Sequence, residues 1–318
     1  MREAEFAALV ERHRAELRVH CYRMLGSFDE AEDLVQETFL RVWKHRDSFA
    51  GRSAVRAWLY RIATNACLDD RRRRRLLPQD LTGPWDPRAG EAPRTDVPWL
   101  QPFPDRLLDP ETAAVERETI ELAFLAAIQY LPPRQRAVLL LRDVLGWPAS
   151  ETAALLEGSV PAVNSALQRA RAALKARLPA RRLDWAPAEA TESELAVLHR
   201  YMAAVQGADL GAVAELLAAD VRAAMPPYPM WFLGRDAVLA TLAISWDPAS
   251  PHYVGRFRTV ATRGNGRPAI GLYLQGPGED GYRAAAISVL IVRGGRVAEM
   301  TAFHDPGLFP AFELPPAL

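Results

Sequence analysis

The first 76 residues contain no proline, and their apolar positions recur every three or four residues, which predicts helices. The pattern indicates a first helix over 3–24, a second helix that Asp29 caps, and a third helix that begins near Ser53. On the third helix, apolar residues such as Trp58 and Cys67 fall on the inner side. Its opposite side presents Arg56, Arg61, Thr64, Asn65 and Asp69.

Residues 78–110 break this pattern, because they contain eight prolines in 33 positions. Proline lacks the amide hydrogen that a helix interior needs, so the segment is expected to be an extended connector. Its Trp85, Trp99 and Phe103 are unfavourable in water. We therefore expect part of this connector to lie in a groove.

Helical spacing returns over 111–178, where we predict helices over 111–129, 133–144, 148–157 and 161–177. Only Gly158, Ser159 and Val160 join the last two helices. A short helix, a tight glycine-containing turn and a second helix are typical of a helix-turn-helix. The second helix turns an apolar stripe inward and exposes Asn164, Ser165, Gln168, Arg169, Arg171 and Lys175.

Residues 190–318 change character, with two helices followed by short β-branched and aromatic runs between glycines. The predicted helices cover 193–206, 210–217 and 235–245. The predicted strands cover 221–225, 256–262, 268–275, 283–292 and 296–303. This order, ααβαββββ, predicts an α+β domain, so the fold class is multidomain: two all-α domains and one α+β domain.

Composition and charge then exclude several classes. Hydrophobic residues make up 49% of the 318 residues, which excludes global disorder. No apolar run is long enough for a membrane span, and the charged opening does not resemble a signal peptide, so we expect a cytoplasmic protein. Cys21 and Cys67 are too few for a disulfide scaffold or most cysteine zinc sites, and neither a metal nor a cofactor is expected.

The net charge of zero conceals local clusters. Residues 1–188 carry a net charge of +3 and residues 189–318 carry −3, but the run Arg71–Arg75 is the strongest cluster. Such a run suits phosphate contacts, although a solvated basic terminus is the alternative. Trp58 and the segment 49–53 lie just before it, where they suggest a pocket for an unstacked base.

The helix-turn-helix is the second candidate for binding DNA. A helix fits the major groove, and Asn, Gln, Ser and Arg side chains read base edges or phosphates there. Asn164 and Gln168 lie in the half of the helix that makes such contacts. The alternative is the solvated polar face of an ordinary helical hairpin.

Three segments together resemble a known family. They are FDEAEDLVQETFLRVWK (28–44), AWLYRIATNACLDDRRRR (57–74) and YLPPRQRAVLLLRDVLGWPASETAALLEGSVPAVNSALQRARAAL (130–174). In this order they resemble the two conserved regions of extracytoplasmic-function (ECF) sigma factors, the promoter-recognition subunits of bacterial RNA polymerase. The resemblance implies region 2 over 1–77, a linker over 78–110 and region 4 over 111–180. It implies core RNA polymerase and promoter DNA as partners, with an anti-sigma protein as a further candidate.

The resemblance also implies roles for single residues. The residues expected to bind polymerase are Asp33, Gln36, Glu37, Phe39, Arg41 and Trp43. Those expected to open and read the downstream (minus-ten) element are Arg52, Ser53, Arg56, Trp58, Arg61, Asn65, Arg71 and Arg72. Those expected at the upstream (minus-thirty-five) element are Ser159, Asn164, Ser165, Gln168, Arg169, Arg171 and Lys175. The sequence departs from the family at Glu157, where many relatives carry glycine, and at Asn164 and Ala166, where Lys or Arg is common.

Residues 190–318 resemble the SnoaL-like cone, a curved sheet wrapped over helices to form a pocket. The candidate pocket residues are Met225, Tyr228, Trp231, Trp246, Tyr273, His304 and Asp305. We expect a ligand sensor or an intramolecular regulator, with a docking surface as the alternative. Catalysis is disfavoured, because aromatic residues in such a cone are usually core residues and His304 and Asp305 are the sole candidates for a general base. Two rival interpretations remain: a one-component helix-turn-helix regulator with an effector domain, and an isomerase or hydrolase fused to a DNA-binding part.

Overall fold

The computed structural model describes residues 3–45, 55–69, 75–85, 94, 96–108, 119–177 and 191–318. The chain divides into two compact units. The helical unit comprises Met1–Arg75 with Leu107–Pro187, and the C-terminal unit comprises Leu76–Arg106 with Ala188–Leu318. Residues 78–106 of the proline-rich linker are thus grouped with the C-terminal unit, and residues 107–110 with the helical unit.

The described residues at the start of the helical unit form three helices: α1 (Glu3–Leu25), α2 (Phe28–Lys44) and α3 (Val55–Asp69). They enclose a core in which Leu17, Tyr22, Val35, Leu59 and Ala63 are almost completely buried. The cap of α2 is Ser27, whose side chain accepts a hydrogen bond from Glu30 N at 3.3 Å. The prediction of Asp29 as the cap was therefore wrong by two residues, because serine is an equally good cap and stands just ahead of the acidic turn.

Thr64 of α3 also differs from its predicted exposed position. It is completely buried, and its Oγ1 lies 2.9 Å from Nε2 of His20. The reason is that α3 packs against both α1 and α2, so its buried face is wider than a single apolar stripe indicates.

The described residues of this unit form four further helices: α4 (Leu122–Gln129), α5 (Pro133–Leu139), α6 (Ala149–Leu155) and α7 (Val160–Arg177). The predicted helix 133–144 is not uniform, since Leu140–Val144 is π-helical. Leu145 N donates to Leu140 O at 2.9 Å, which closes that wider turn.

The two groups of helices in this unit are joined through the buried Arg136. Its guanidinium donates to Ile128 O and Gln129 O, each at 3.0 Å, and to Met24 O of α1. Burial lowers the pKa of Arg136 to about 10, which leaves the side chain charged at neutral pH. The rings of Tyr60 and Trp147, one from each group, lie 5.3 Å apart.

The C-terminal unit is built on one six-stranded sheet with the order β2-β1-β6-β5-β4-β3. Its strands are β1 (Leu217–Ala224), β2 (Trp231–Leu233), β3 (Arg256–Gly264), β4 (Arg267–Gln275), β5 (Arg283–Arg293) and β6 (Arg296–Phe303). The pair β1–β6 is parallel and the other pairs are antiparallel. Strand β2 was not predicted, because its three residues follow a proline-rich turn and are too few to show a period.

In the part of this unit that the structure describes, three helices accompany the sheet: α8 (Glu192–Gln206), α9 (Leu210–Leu216) and α10 (Arg235–Trp246). They share a core with one face of the sheet, in which Leu198, Val213, Leu217, Ile270 and Leu290 are buried. The 3₁₀ turn Pro306–Phe312 and the residues after it pack near β4 and β5.

Candidate functional site

The turn between α6 and α7 presents one polar face of α7. Ser159 Oγ accepts from Ala162 N at 3.3 Å and so caps the first turn, while Gly158 N donates to Ala153 O at 2.8 Å. Val163, Leu167 and Ala170 are buried in the helical unit. This orientation exposes the residues that the sequence assigned to upstream DNA: Ser159, Asn164, Ser165, Gln168, Arg169, Arg171 and Lys175.

Arg171 on this face already has a partner. Its Nε and Nη2 donate to the two carboxylate oxygens of Asp143 at 2.8 and 2.7 Å, and this pair raises the pKa of Arg171. Arg169 and Lys175 form no ion pair among the described residues. A phosphate would thus meet Arg169 and Lys175 directly, but would compete with Asp143 for Arg171.

The arginines of α3 are paired as well. Arg56 Nε donates to Glu16 Oε2 at 2.8 Å, and Tyr60 Oη donates to the same oxygen at 3.2 Å. Arg61 Nη2 contacts Glu157 Oε1 at 3.2 Å. The side chains of Trp58 and Asn65 are half-buried.

Four candidates for downstream DNA, namely Arg52, Ser53, Arg71 and Arg72, lie outside the described residues. The same holds for the segment 49–53 that the sequence suggested as part of a base pocket.

Helix α2 divides the candidate polymerase-binding residues between surface and core. Asp33 and Gln36 are exposed, and Glu37 pairs with Arg41 at 2.6 Å. Phe39 is buried, and both Phe39 and Trp43 contact the ring of Phe6. Phe39 therefore supports the exposed face of α2 from beneath.

Sequence reasoning missed Leu40, whose side chain is 60% exposed on the outer face of α2. A large apolar residue outside the buried stripe was the signal that could have found it.

The first half of the linker is bound to β2 of the C-terminal unit. Trp85 N donates to Trp231 O at 2.7 Å, and Trp231 Nε1 donates to Thr82 O at 2.9 Å. The Trp85 ring meets Phe232 edge-on, with the ring centres 5.4 Å apart. This tryptophan thus packs against the hydrophobic core of the unit.

The second half of the linker is bound to the turn between β3 and β4. Phe103 is fully buried; its N donates to Asn265 Oδ1 at 3.0 Å, and its O accepts from Asn265 N at 2.9 Å. Asp105 Oδ1 accepts from Gly266 N at 2.8 Å, and its other oxygen lies 3.4 Å from Arg263 Nε. Asn265 adopts φ +54°, a conformation that asparagine tolerates in a tight hairpin turn. Sequence reasoning missed Asn265, although Asn265-Gly266 is a strong hairpin signal.

The seven candidate pocket residues do not form one site. Tyr228 and His304 meet edge-on at 5.5 Å, and His304 N donates to Pro226 O at 2.7 Å. Asp305 accepts from Gly307 N at 2.9 Å as the cap of the 3₁₀ turn. Trp231 binds the linker, and Met225 packs beside the core.

The remaining two lie elsewhere. Tyr273 is buried near the C-terminal segment, where its hydroxyl donates to Pro315 O at 3.0 Å. Trp246 lines a cavity of about 600 Å³ at the start of β3.

Burial lowers the pKa of His304 to about 4, so this imidazole is neutral at physiological pH. Its Nε2 is buried and has no hydrogen-bond partner among the described residues.

Comparison with known proteins accounts for both units. Family models of Sigma-70 region 2, Sigma-70 region 4 and a SnoaL-like domain match residues 9–76, 121–174 and 198–300. The ECF RNA polymerase sigma factor SigG of Mycobacterium tuberculosis is 43% identical over 323 residues, which cover 100% of this chain and 86% of SigG. The chain belongs to the ECF RNA polymerase sigma factors.

A second relative shares this organisation. The ECF sigma factor SigJ of Mycobacterium tuberculosis is 30% identical over 97% of this chain and 93% of SigJ. The crystal structure of SigJ matches with a TM-score of 0.62 and 26% identity, over 99% of this chain and 100% of SigJ. The sigma factor described here therefore shares with SigJ both the helical regions and the sheet domain.

Two negative observations apply to the described part of this sigma factor. None of its helices is long and apolar enough to cross a membrane. No group of three or more His, Cys, Asp or Glu side chains there could hold a metal ion.

Proposed function

We propose that this sigma factor binds core RNA polymerase through α2 and directs it to promoters read by α3 and α7. The observation that carries the proposal is the exposed polar face of α7, held by a capped turn in a chain that is 43% identical to SigG along its whole length. Asn and Gln side chains can form bidentate hydrogen bonds with adenine in the major groove. The protein acts where polymerase and the chromosome are, in the cytoplasm.

The function rests on binding. Catalysis at the C-terminal unit would need His304 or Asp305 as a general base. Asp305 is engaged as a helix cap, and the neutral His304 packs against Tyr228. We infer that this unit regulates the sigma factor and does not catalyse a reaction.

The linker is the part that we propose is regulated. Its Trp85 and Phe103 are held by backbone and side-chain hydrogen bonds of the C-terminal unit. While Trp85 and Phe103 contact the C-terminal unit, these residues cannot bind another surface, including that of polymerase. Release of the linker is therefore the step at which a small ligand or a partner protein would control activity.

Two assays test the proposal. The full chain should co-purify with bacterial core RNA polymerase in the absence of DNA, because a sigma factor binds the enzyme first. The mixture should then produce transcripts from a library of templates with randomised promoters, and sequencing should show two enriched elements. A one-component regulator would instead bind duplex DNA alone and show no affinity for core enzyme, which would refute the proposal.

The regulatory part needs a separate comparison. A chain ending near residue 185 lacks the partners of Trp85 and Phe103, and we expect its transcription yield to differ from that of the full chain at equal core binding. Equal yields on the same templates would exclude regulation by the C-terminal unit and leave the sigma activity itself intact.

A further inference from the structure

The cavity at the start of β3 is lined by the ends of α8 and α10 and by the loops next to β3 and β5. Its volume of about 600 Å³ lies within the range of small-molecule sites, roughly 300–1,000 Å³. The side chains that give it chemical character are Trp246, Tyr253, Arg256, Phe257, Arg258 and Tyr282.

The position of β3 explains how these side chains reach one space. β3 is the edge strand of the sheet, and among the described residues only Pro104 pairs with its outer side, at Gly264 at the far end from the cavity. Successive residues of a strand point to opposite faces. Phe257 packs against the hydrophobic core, and its neighbours Arg256 and Arg258 are exposed. At an open edge, residues of both faces can border the same cavity.

The charge of this cavity is not compensated. Arg256 and Arg258 form no ion pair among the described residues, and no carboxylate is among the residues that line the cavity. Other arginines of the same unit are paired, such as Arg283 with Glu279 and Arg293 with Glu299. The two arginines therefore leave a local positive charge that an anion can neutralise.

The aromatic residues add a second element of recognition. The rings of Trp246 and Phe257 are 6.5 Å apart and inclined at 57°, and the Arg258 guanidinium lies 5.5 Å from the centre of the Tyr282 ring. That cation–π contact favours one position for the guanidinium. Aromatic side chains prefer offset or edge-on contacts with a planar ring, and a guanidinium can bind a carboxylate with two parallel hydrogen bonds.

We propose that this cavity binds a small aromatic carboxylate, with Arg256 and Arg258 contacting the carboxylate and the aromatic residues contacting the ring. The proposal goes beyond the sigma activity and involves neither polymerase nor DNA. The site also differs from the linker contacts, which lie at the opposite end of β3 near Arg263.

The test is a calorimetric titration of the full chain with 2-naphthoate, and with the neutral 2-naphthamide as the matched ligand. Naphthoate should bind with one site per chain, and the amide should bind at least tenfold more weakly. The double variant R256A/R258A should lose at least tenfold in affinity. The control R222A removes an exposed arginine of β1, at the other side of the sheet, and should stay within twofold of the unchanged protein.

Several outcomes would overturn the proposal. They are the absence of naphthoate binding up to millimolar concentration, equal affinity for the amide, or equal losses in R222A and the double variant. Thermal unfolding of each variant shows whether it is folded. If the double variant R256A/R258A is not folded, the single variant R258K takes its place in the titration. Because lysine keeps the charge but not the paired donors, R258K should bind naphthoate with an affinity below that of the unchanged protein. An unchanged affinity in R258K would contradict the assigned contact.

Discussion

His20 of α1 is a buried histidine whose protonation opposes folding. Burial and the nearby charges of Arg23 and Arg56 lower its pKa from 6.5 to about 3. The unfolded chain therefore takes up a proton at a higher pH than the folded chain. Stability should be fully retained above pH 6.5 and should fall as the pH drops from there towards about 3, by up to about 1.4 kcal/mol per pH unit.

The substitution H20Q tests this dependence. It keeps a side chain that can hydrogen-bond to Thr64 but removes the titrating group, so the acid-side slope of the unfolding free energy should become shallower. Part of the slope should remain, because His304 is also buried with a lowered pKa. Urea unfolding followed by circular dichroism between pH 4 and 7, roughly the window in which the two states differ in protonation, measures the slope. H252Q, at an exposed histidine, should leave it unchanged.

On α7, side chains that read bases should differ in effect from those that bind phosphates. Replacing Asn164 and Gln168 by alanine should change the enriched upstream sequence, since each specific contact contributes about 1–3 kcal/mol of discrimination. Replacing Arg169 by alanine should weaken binding to all sequences and reduce the salt slope by about 1. Sequencing of transcripts from the randomised library and salt titrations of holoenzyme binding measure the two effects. An unchanged upstream preference in the first variant would show that α7 is not the reading helix.

The exposure of the α7 residues could be predicted from sequence, because a helix with one buried stripe fixes its outer face. The partners of their charges could not. Asp143 and Arg171 are 28 residues apart in sequence, and Arg61 and Glu157 are 96 residues apart. Neither pair lies on a single helix, so helical spacing does not bring the partners together. Ion pairs of this kind depend on how the helices pack against each other, and the hydrophobic periodicity of a sequence carries no information about that packing.

Among the structural elements, the linker depends most on partners that its own sequence pattern does not show. Its prolines predicted an extended segment, and its aromatic residues predicted a groove, but neither identified the groove. The partners are the short strand β2 and the Asn265 turn, which follow the linker by more than a hundred residues. Strand β2 has only three residues, which are too few to show a period. The hairpin turn alone accounts for an asparagine at position 265, so its sequence did not indicate a contact with the linker.

The bond between Asn265 and Phe103 gives a prediction for this element. The variant N265G keeps a residue that tolerates positive φ but removes the oxygen that accepts from Phe103 N. The buried amide is then unpaired, at a cost of about 1–3 kcal/mol, so peptides spanning 98–106 should exchange hydrogen for deuterium faster, by about tenfold or more. Mass spectrometry measures this rate.

The control is G294N in the turn between β5 and β6. It introduces asparagine at a comparable φ of +57°, where nothing lies within 4 Å of an added Cβ. It should leave exchange in 98–106 unchanged. If N265G had no effect on that segment either, the side chain of Asn265 would not be what holds the linker.

At the scale of the whole molecule, the order of domains and the class of each were predicted from sequence, and the comparisons confirm the family. The family could be predicted because three long segments, 28–44, 57–74 and 130–174, occur in the order that the family requires. Together they are more specific than the pattern of any single helix. The way in which region 2 and region 4 contact each other within the helical unit was not predicted. Those contacts involve Arg136, Tyr60 and Trp147, which looked like ordinary helix residues.

Glu157, in the turn before α7, connects the two regions through its side chain. It has φ +52°, and its carboxylate pairs with Arg61. Because both side chains are more than half exposed, E157Q should change stability by less than about 1 kcal/mol. It should nevertheless raise the affinity of the holoenzyme for a pre-melted promoter, since Arg61 becomes free and one carboxylate is lost.

The matched control is E151Q on α6, an exposed glutamate without an ion pair among the described residues. It removes the same charge without releasing an arginine. Fluorescence anisotropy with a labelled pre-melted template compares the two variants. Equal gains would show that the effect comes from overall charge and not from Arg61.

The path of the chain through the two units has a consequence for how such proteins can evolve. The backbone leaves the helical unit after Arg75, returns at Leu107, and departs again after Pro187. The sheet domain is consequently not a simple appendage, since described linker residues in the middle of the chain, such as Trp85 and Phe103, pack against it. A lineage that discards residues 188–318 must also rewrite those residues or provide a substitute surface for Trp85 and Phe103. We therefore expect the composition of the linker and the presence of the sheet domain to be inherited together.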